Sequence, residues 1–119
     1  MQKYTVHLRY YTGDLLVEIR EKDMDRIGQD HGVEVSSQRI DNRTLVDGVL
    51  REETLDKEIE KITQDVITVE TDNEAGFRDV LLVLYEKYRS PRTPYGFWGS
   101  SPHGERIAKA LADETGGGW

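Results

Sequence analysis

The sequence predicts an α+β fold: a small, mostly antiparallel sheet with three helices, in the order β-β-β-α-β-α-α. Three observations predict it. Residues 4–11 and 15–19 alternate at period two, residues 77–88 repeat at helical spacing, and a Ser-Pro pair at 101–102 marks another helix start.

In chain order, Tyr4, Val6, Leu8 and Tyr10 alternate with Thr5, His7, Arg9 and Tyr11. Gly13-Asp14 supplies a two-residue turn with Gly first, and Leu15, Val17 and Ile19 resume the alternation. The first twenty residues therefore read as an N-terminal hairpin. Residues 21–32 are polar and turn-rich and read as a loop, followed by a short strand over 33–36. The stretch 37–49 reads either as a strand pair or as a loop, with turn signals at Asp41-Asn42 and Asp47-Gly48. A helix is expected over 52–63, where Leu55, Ile59 and Ile62 share a face and Glu53 pairs with Lys57. VITVET, 66–71, reads as a strand. If that strand lies parallel to a neighbour, the 52–63 helix is its crossover.

The clearest helix begins at the capping-box pair Thr71 and Glu74. Its apolar face is Phe77, Val80, Leu81, Leu84, Tyr85 and Tyr88, and Pro91 ends it. The last helix runs from Pro102 to about Glu114, with Ser101 as N-cap and Ile107, Ala108 and Leu111 turned inward. Residues 1–115 make one domain, and 116–119 make a flexible Gly-rich tail ending in Trp119. No repeat is visible.

The totals narrow the function. A chain of 119 residues with 36% hydrophobic and 33% charged residues supports one small core. Its net charge of −7 argues against general binding to duplex nucleic acid or to an anionic membrane surface. The absence of cysteine removes disulfides, a thiolate nucleophile and Cys-based zinc sites. No apolar run reaches membrane-spanning length, the longest being VLLVLY at 80–85, and no secretory signal opens the chain. A cytoplasmic location is expected. The small polar core, together with tyrosines at 4, 10, 11, 85 and 88, suggests a homo-oligomer.

The segment 87–106, KYRSPRTPYGFWGSSPHGER, stands apart. It holds all three prolines and sets Lys87, Arg89, Arg92 and Arg106 against Glu105 alone. Helix starts carry unpartnered N–H groups and roughly half a positive charge, a setting that phosphate groups use often. The candidate ligand-binding residues are Arg89, Arg92, Tyr95, Phe97, Trp98, Ser100, Ser101, His103 and Arg106. The serines and backbone would cradle a phosphate, the arginines would bind its oxygens, and Phe97 or Trp98 would stack on a base. The same residues also read as an ordinary Ser-Pro helix start under a loop that packs its aromatics. Neither GxxxxGK[ST] nor GxGxxG is present.

Other chemistry is poorly specified. Asp23, Asp25, Gly28 and Glu34 match four positions of a calcium loop, but Ile27 and Asp30 break it. His7, His31 and His103 show no ligand spacing, and Asp30-His31 lacks a positioned nucleophile. No catalytic residue, cofactor or metal is assigned. The expected function is a small binding or sequestering protein for a phosphate-bearing molecule, most plausibly a nucleotide. One alternative is an acidic interaction module or nucleic-acid mimic that inhibits a basic protein partner. Another is a small enzyme acting on the same anion.

Overall fold

The alternation at the N-terminus does make a strand, β1 (Tyr4–Tyr11), but its partner is distant in sequence. It pairs antiparallel with β3 (Thr63–Thr71), Val6 opposite Val69 and Leu8 opposite Ile67. The computed structural model describes residues 3–11, 15–41, 63–91 and 96–115. Within them the α+β class holds, with a three-stranded antiparallel sheet and three helices. The turn at 13–14, the region 42–49, Arg92, Tyr95 and the 116–119 tail lie outside the described residues, as does the expected 52–63 helix except for Thr63, which begins β3.

Two segment readings change. Residues 15–20 are not a strand: Leu16 and Val17 are exposed, Ile19 is buried in the core and Leu15 packs against its edge. The loop expected over 21–32 is instead helix α1 (Glu21–His31). Glu21 and Asp23 complement its N-terminal dipole, Met24 and Ile27 supply a narrow apolar stripe, and Gly32 closes it at φ 63°. Because Asp23 and Asp25 lie on this helix, the segment does not form a calcium-binding loop.

Strand β2 (Glu34–Asp41) also pairs antiparallel with β3, giving the order β1-β3-β2. β1 and β2 are thus parallel, and α1 is the crossover between them, a split β-α-β unit. β3 itself is antiparallel to both neighbours, so it needs no crossover. The sheet's inner face carries Val6, Leu8, Tyr10, Val35, Ile67 and Val69, all buried. Against it packs α2 (Glu74–Tyr88), which buries Phe77, Val80, Leu81, Leu84, Tyr85 and Tyr88. Each such side chain contributes roughly 1.5–3 kcal/mol on leaving water. The true N-cap of α2 is Asn73, whose side chain accepts from Gly76 N at 3.3 Å. Thr71 Oγ1 accepts from Asn73 N one step earlier.

Helix α3 (Pro102–Glu114) starts at Ser101 and Pro102 as the sequence indicates. It buries Ile107, Ala108, Leu111 and Ala112, and Tyr85 Oη donates to the Ala108 carbonyl at 2.8 Å. Its first turn lies directly on β1. A Cβ built on Gly104 would stand 2.2 Å from the Thr5 carbonyl oxygen and 2.8 Å from its carbon. Both obstacles are backbone, so no rotamer change relieves the clash. Gly104→Ala is therefore expected to destabilise the protein by about 3 kcal/mol, the upper range for overpacking. Denaturant unfolding checks this, and a midpoint within error of wild type would show that α3 does not rest on β1 so closely.

Candidate functional site

A sheet leaves the outermost N–H and C=O groups of its edge strands without partners. On β1 these are alternate residues, and the chain covers them with the segment after α2. Arg9 N donates to the Gly96 carbonyl at 2.8 Å, and Ser101 N donates to the Thr5 carbonyl at 3.0 Å. Between them, His7 N donates to Ser100 Oγ at 2.9 Å and Thr5 N to Ser101 Oγ at 3.1 Å. Residues 96–101 therefore occupy the place of a fourth strand, partly by main chain and partly by serine hydroxyls.

This placement decides what the expected phosphate cradle can do. Ser101 Oγ also accepts from Gly104 N at 3.2 Å and donates to the Thr5 carbonyl at 3.1 Å. Glu105 N already bonds the Ser101 carbonyl, and Pro102 has no N–H to offer. Among the described residues, the His103 amide is the one first-turn donor that makes no such bond. Ser100 and Ser101 lie together at the helix start, as expected, but their hydrogen bonds lock β1 rather than face an open pocket.

The aromatics divide. Phe97 is 4% exposed and belongs to the core, so it offers no stacking face. Trp98 is 68% exposed. Its carbonyl accepts from Arg9 Nε at 3.0 Å, and the guanidinium carbon lies 5.2 Å from the indole centroid. The result is an indole held beside a cation at the protein surface. Gly99, at φ 87°, allows the tight turn, and a Cβ there would contact the His7 ring at 3.4 Å. His7 shares a hydrogen bond between Nδ1 and Thr68 Oγ1 at 2.9 Å.

The remaining cations are spread out. Arg106 Nη2 donates to His103 Nδ1 at 2.8 Å on the exposed first turn of α3. That turn rests on Thr5, whereas Trp98 sits by Arg9, four residues or about 13 Å further along the strand. Arg89 caps α2, and its carbonyl accepts from Tyr10 Oη on the helix-facing side of β1. Sequence reasoning thus found Trp98 but missed Arg9 and His7, which lie on a strand far away in the chain. Their alternation with Val6, Leu8 and Tyr10 placed them on the other face of β1, without showing what lay beside them.

No family model matches the chain, and no curated protein or solved structure matches it. Among the described residues no group of three or more His, Asp or Glu side chains is placed to hold a metal ion. No helix of the described residues is long and apolar enough to cross a membrane.

The His7 ring is harder to protonate in the folded protein than in the unfolded chain. Partial burial is the main cause, and Arg9 adds to it, so the folded value lies below the ordinary 6.5. The unfolded chain then takes up the proton first. This contribution to stability is fully present above pH 6.5 and is lost as the pH falls through the lower folded value. Thermal unfolding across that range should show a decline in wild type that is shallower in His7→Gln. Equal slopes in the two proteins would assign the decline to other groups.

Proposed function

We propose that this chain is a small cytoplasmic binding protein that holds a negatively charged ligand with a planar ring, the nucleotide class, without converting it. The observation that carries this reading is the exposed Trp98 indole fixed beside Arg9. An indole costs little conformational entropy to present and stacks on any base, a contact worth about 1–3 kcal/mol. Among the described residues the terminal nitrogens of Arg9 make no hydrogen bond, and Nε alone is engaged, by the Trp98 carbonyl. They supply the fork that phosphate oxygens favour.

Three features make the surface suit binding better than catalysis. The Ser100 and Ser101 hydroxyls are occupied by β1, so neither is poised as a nucleophile. His7 bonds Thr68 and His103 accepts from Arg106, so neither ring activates a serine. The open sheet-edge position also lacks the enclosure that excludes water from reacting groups. Of the two residues expected to stack on a base, Phe97 or Trp98, the reading keeps Trp98. It moves the phosphate role from the serine cradle to Arg9, with the His103–Arg106 pair available to a ligand that reaches along the edge.

Tryptophan fluorescence of Trp119→Phe protein, titrated with mono-, di- and cyclic nucleotides, tests the proposal. Binding should quench Trp98 and raise the melting temperature, the bound ligand adding roughly 2.7 kcal/mol of stability at 100 times Kd. Arg9→Ala should weaken binding at least tenfold, the equivalent of about 1.4 kcal/mol. No quenching and no thermal shift with any nucleotide would reject it. The acidic-module reading would then lead, with affinity for a basic partner that falls steeply with salt.

A further inference from the structure

The two edges of the sheet are treated differently. β1 is covered by residues 96–101. On β2, hydrogen-bonding parity follows from the register. Thr5, His7 and Arg9 point away from β3, so Ile67 and Val69 point toward β1, and Thr68 and Val66 point toward β2. Their partners Ser36 and Gln38 then face β3, which leaves Val35, Ser37 and Arg39 with main-chain groups turned outward. Among the described residues no further strand pairs with this edge.

Two of the usual protections, proline or lysine on the strand and a bulge in it, are also missing there. β2 reads EVSSQRID, without proline or lysine, and its register to β3 runs unbroken from Glu34 to Asp41, so no bulge twists it away. Beside its first half runs an open groove of about 570 Å³, walled by Asp25, Gly28, Gln29 and Gly32 of the α1 side and by Val33–Ser36. Two of the four wall positions on that side are glycines.

We propose that the outer edge of β2 is a self-association surface, and that its occupant is β2 of a second copy of this chain. A two-fold axis normal to the sheet keeps the inner faces together, which requires opposed residues of equal parity. Centred on Ser37, the pairing sets Ser37 against Ser37 and Val35 against Arg39, so all the outward main-chain groups of these residues find partners. It also sets Arg39 of the second copy beside the groove wall. Asp25 on that wall makes no ion pair among the described residues, and Arg39 spends only Nε on Asp65, at 3.1 Å. Because a two-fold operation repeats every contact, this charge match forms twice. Because β1 is covered and β2 is the edge left open among the described residues, pairing stops at two copies, a six-stranded sheet that does not extend into a fibre.

The test is the solution mass of the full chain across a concentration series, by sedimentation equilibrium. Wild type should rise from 13.7 kDa toward twice that mass. Ser37→Pro removes the N–H on the axis but none of the β2–β3 bonds, so it should stay monomeric with an unchanged circular dichroism spectrum. Ser37→Ala should associate like wild type. Asp25→Lys, on the exposed side of α1, should weaken association about tenfold. Should Ser37→Pro fail to fold, Asp25→Lys decides. Wild type that stays monomeric up to about 1 mM, or variants Ser37→Pro and Asp25→Lys that associate as tightly as wild type, would overturn the proposal.

Discussion

The chain after α2 is organised by one requirement, that the outer N–H groups of β1 find partners. Thr5, His7 and Arg9 meet Ser101, Ser100 and Gly96 in turn, so the segment's register against the strand is set at three points. Each bond is worth only about 1 kcal/mol net, because water would serve an exposed edge nearly as well. The larger gain comes from what those bonds position. They put Phe97 into the core, worth roughly 1.5–3 kcal/mol, and they seat the first turn of α3 on the Thr5 backbone. A glycine at 104 follows from that contact, as does a serine at 101, where one hydroxyl serves strand and helix together.

A phosphate cradle and an edge-strand lock ask for the same residues. Both need small side chains, hydroxyls and a backbone close to its neighbour. The difference lies in what stands opposite, and here it is β1. Ligand chemistry is therefore displaced to groups that the lock leaves free. Trp98 is on the outside of the turn because Phe97 is on the inside. Arg9 reaches it because alternate residues of β1 project from the other face of the sheet. The exposed pair is thus a by-product of closing the edge, available for binding and held in place by interactions that fold the protein anyway.

Local signals were the most legible. The α2 face from Phe77 to Tyr88 and the Ser101-Pro102 start of α3 appear as read, since periodicity and capping act within a few residues. The α1 helix was obscured by composition. With Met24 and Ile27 as its main apolar residues and Gly28 in its middle, EKDMDRIGQDH resembles a loop, yet Gly28 lies where a Cβ would meet the Val33 carbonyl oxygen at 2.6 Å. Tertiary contact overrode propensity at that point. The partner of β1 was the other failure. A tight turn and resumed alternation argue for a hairpin, but pairing is decided by which strand can bury its apolar residues beside those of β1. Ile67 and Val69 do so on the inner face, whereas Leu16 and Val17 remain in solvent. The candidate site was legible only as a segment, because Arg9 and His7 join it through the fold.

The end of α2 shows how far the structure goes to make this closure. Arg89 sits at φ 72° and ψ 171°, a region that glycine enters freely and other residues enter at about 1–3 kcal/mol. A helix that ran on would carry the chain away from β1. Instead the backbone reverses at Arg89, whose carbonyl accepts from Tyr10 Oη, and Ser90 and Pro91 follow it into buried positions. Tyr10 itself is on the inner face of β1, so the strand being covered also holds the turn that lets the covering segment return. Strain at one residue is offset by Phe97, by the edge bonds and by the Tyr10 hydroxyl together. Removing any one of the three would shift that balance toward a straighter exit from α2, and the surface that carries Trp98 would loosen with it.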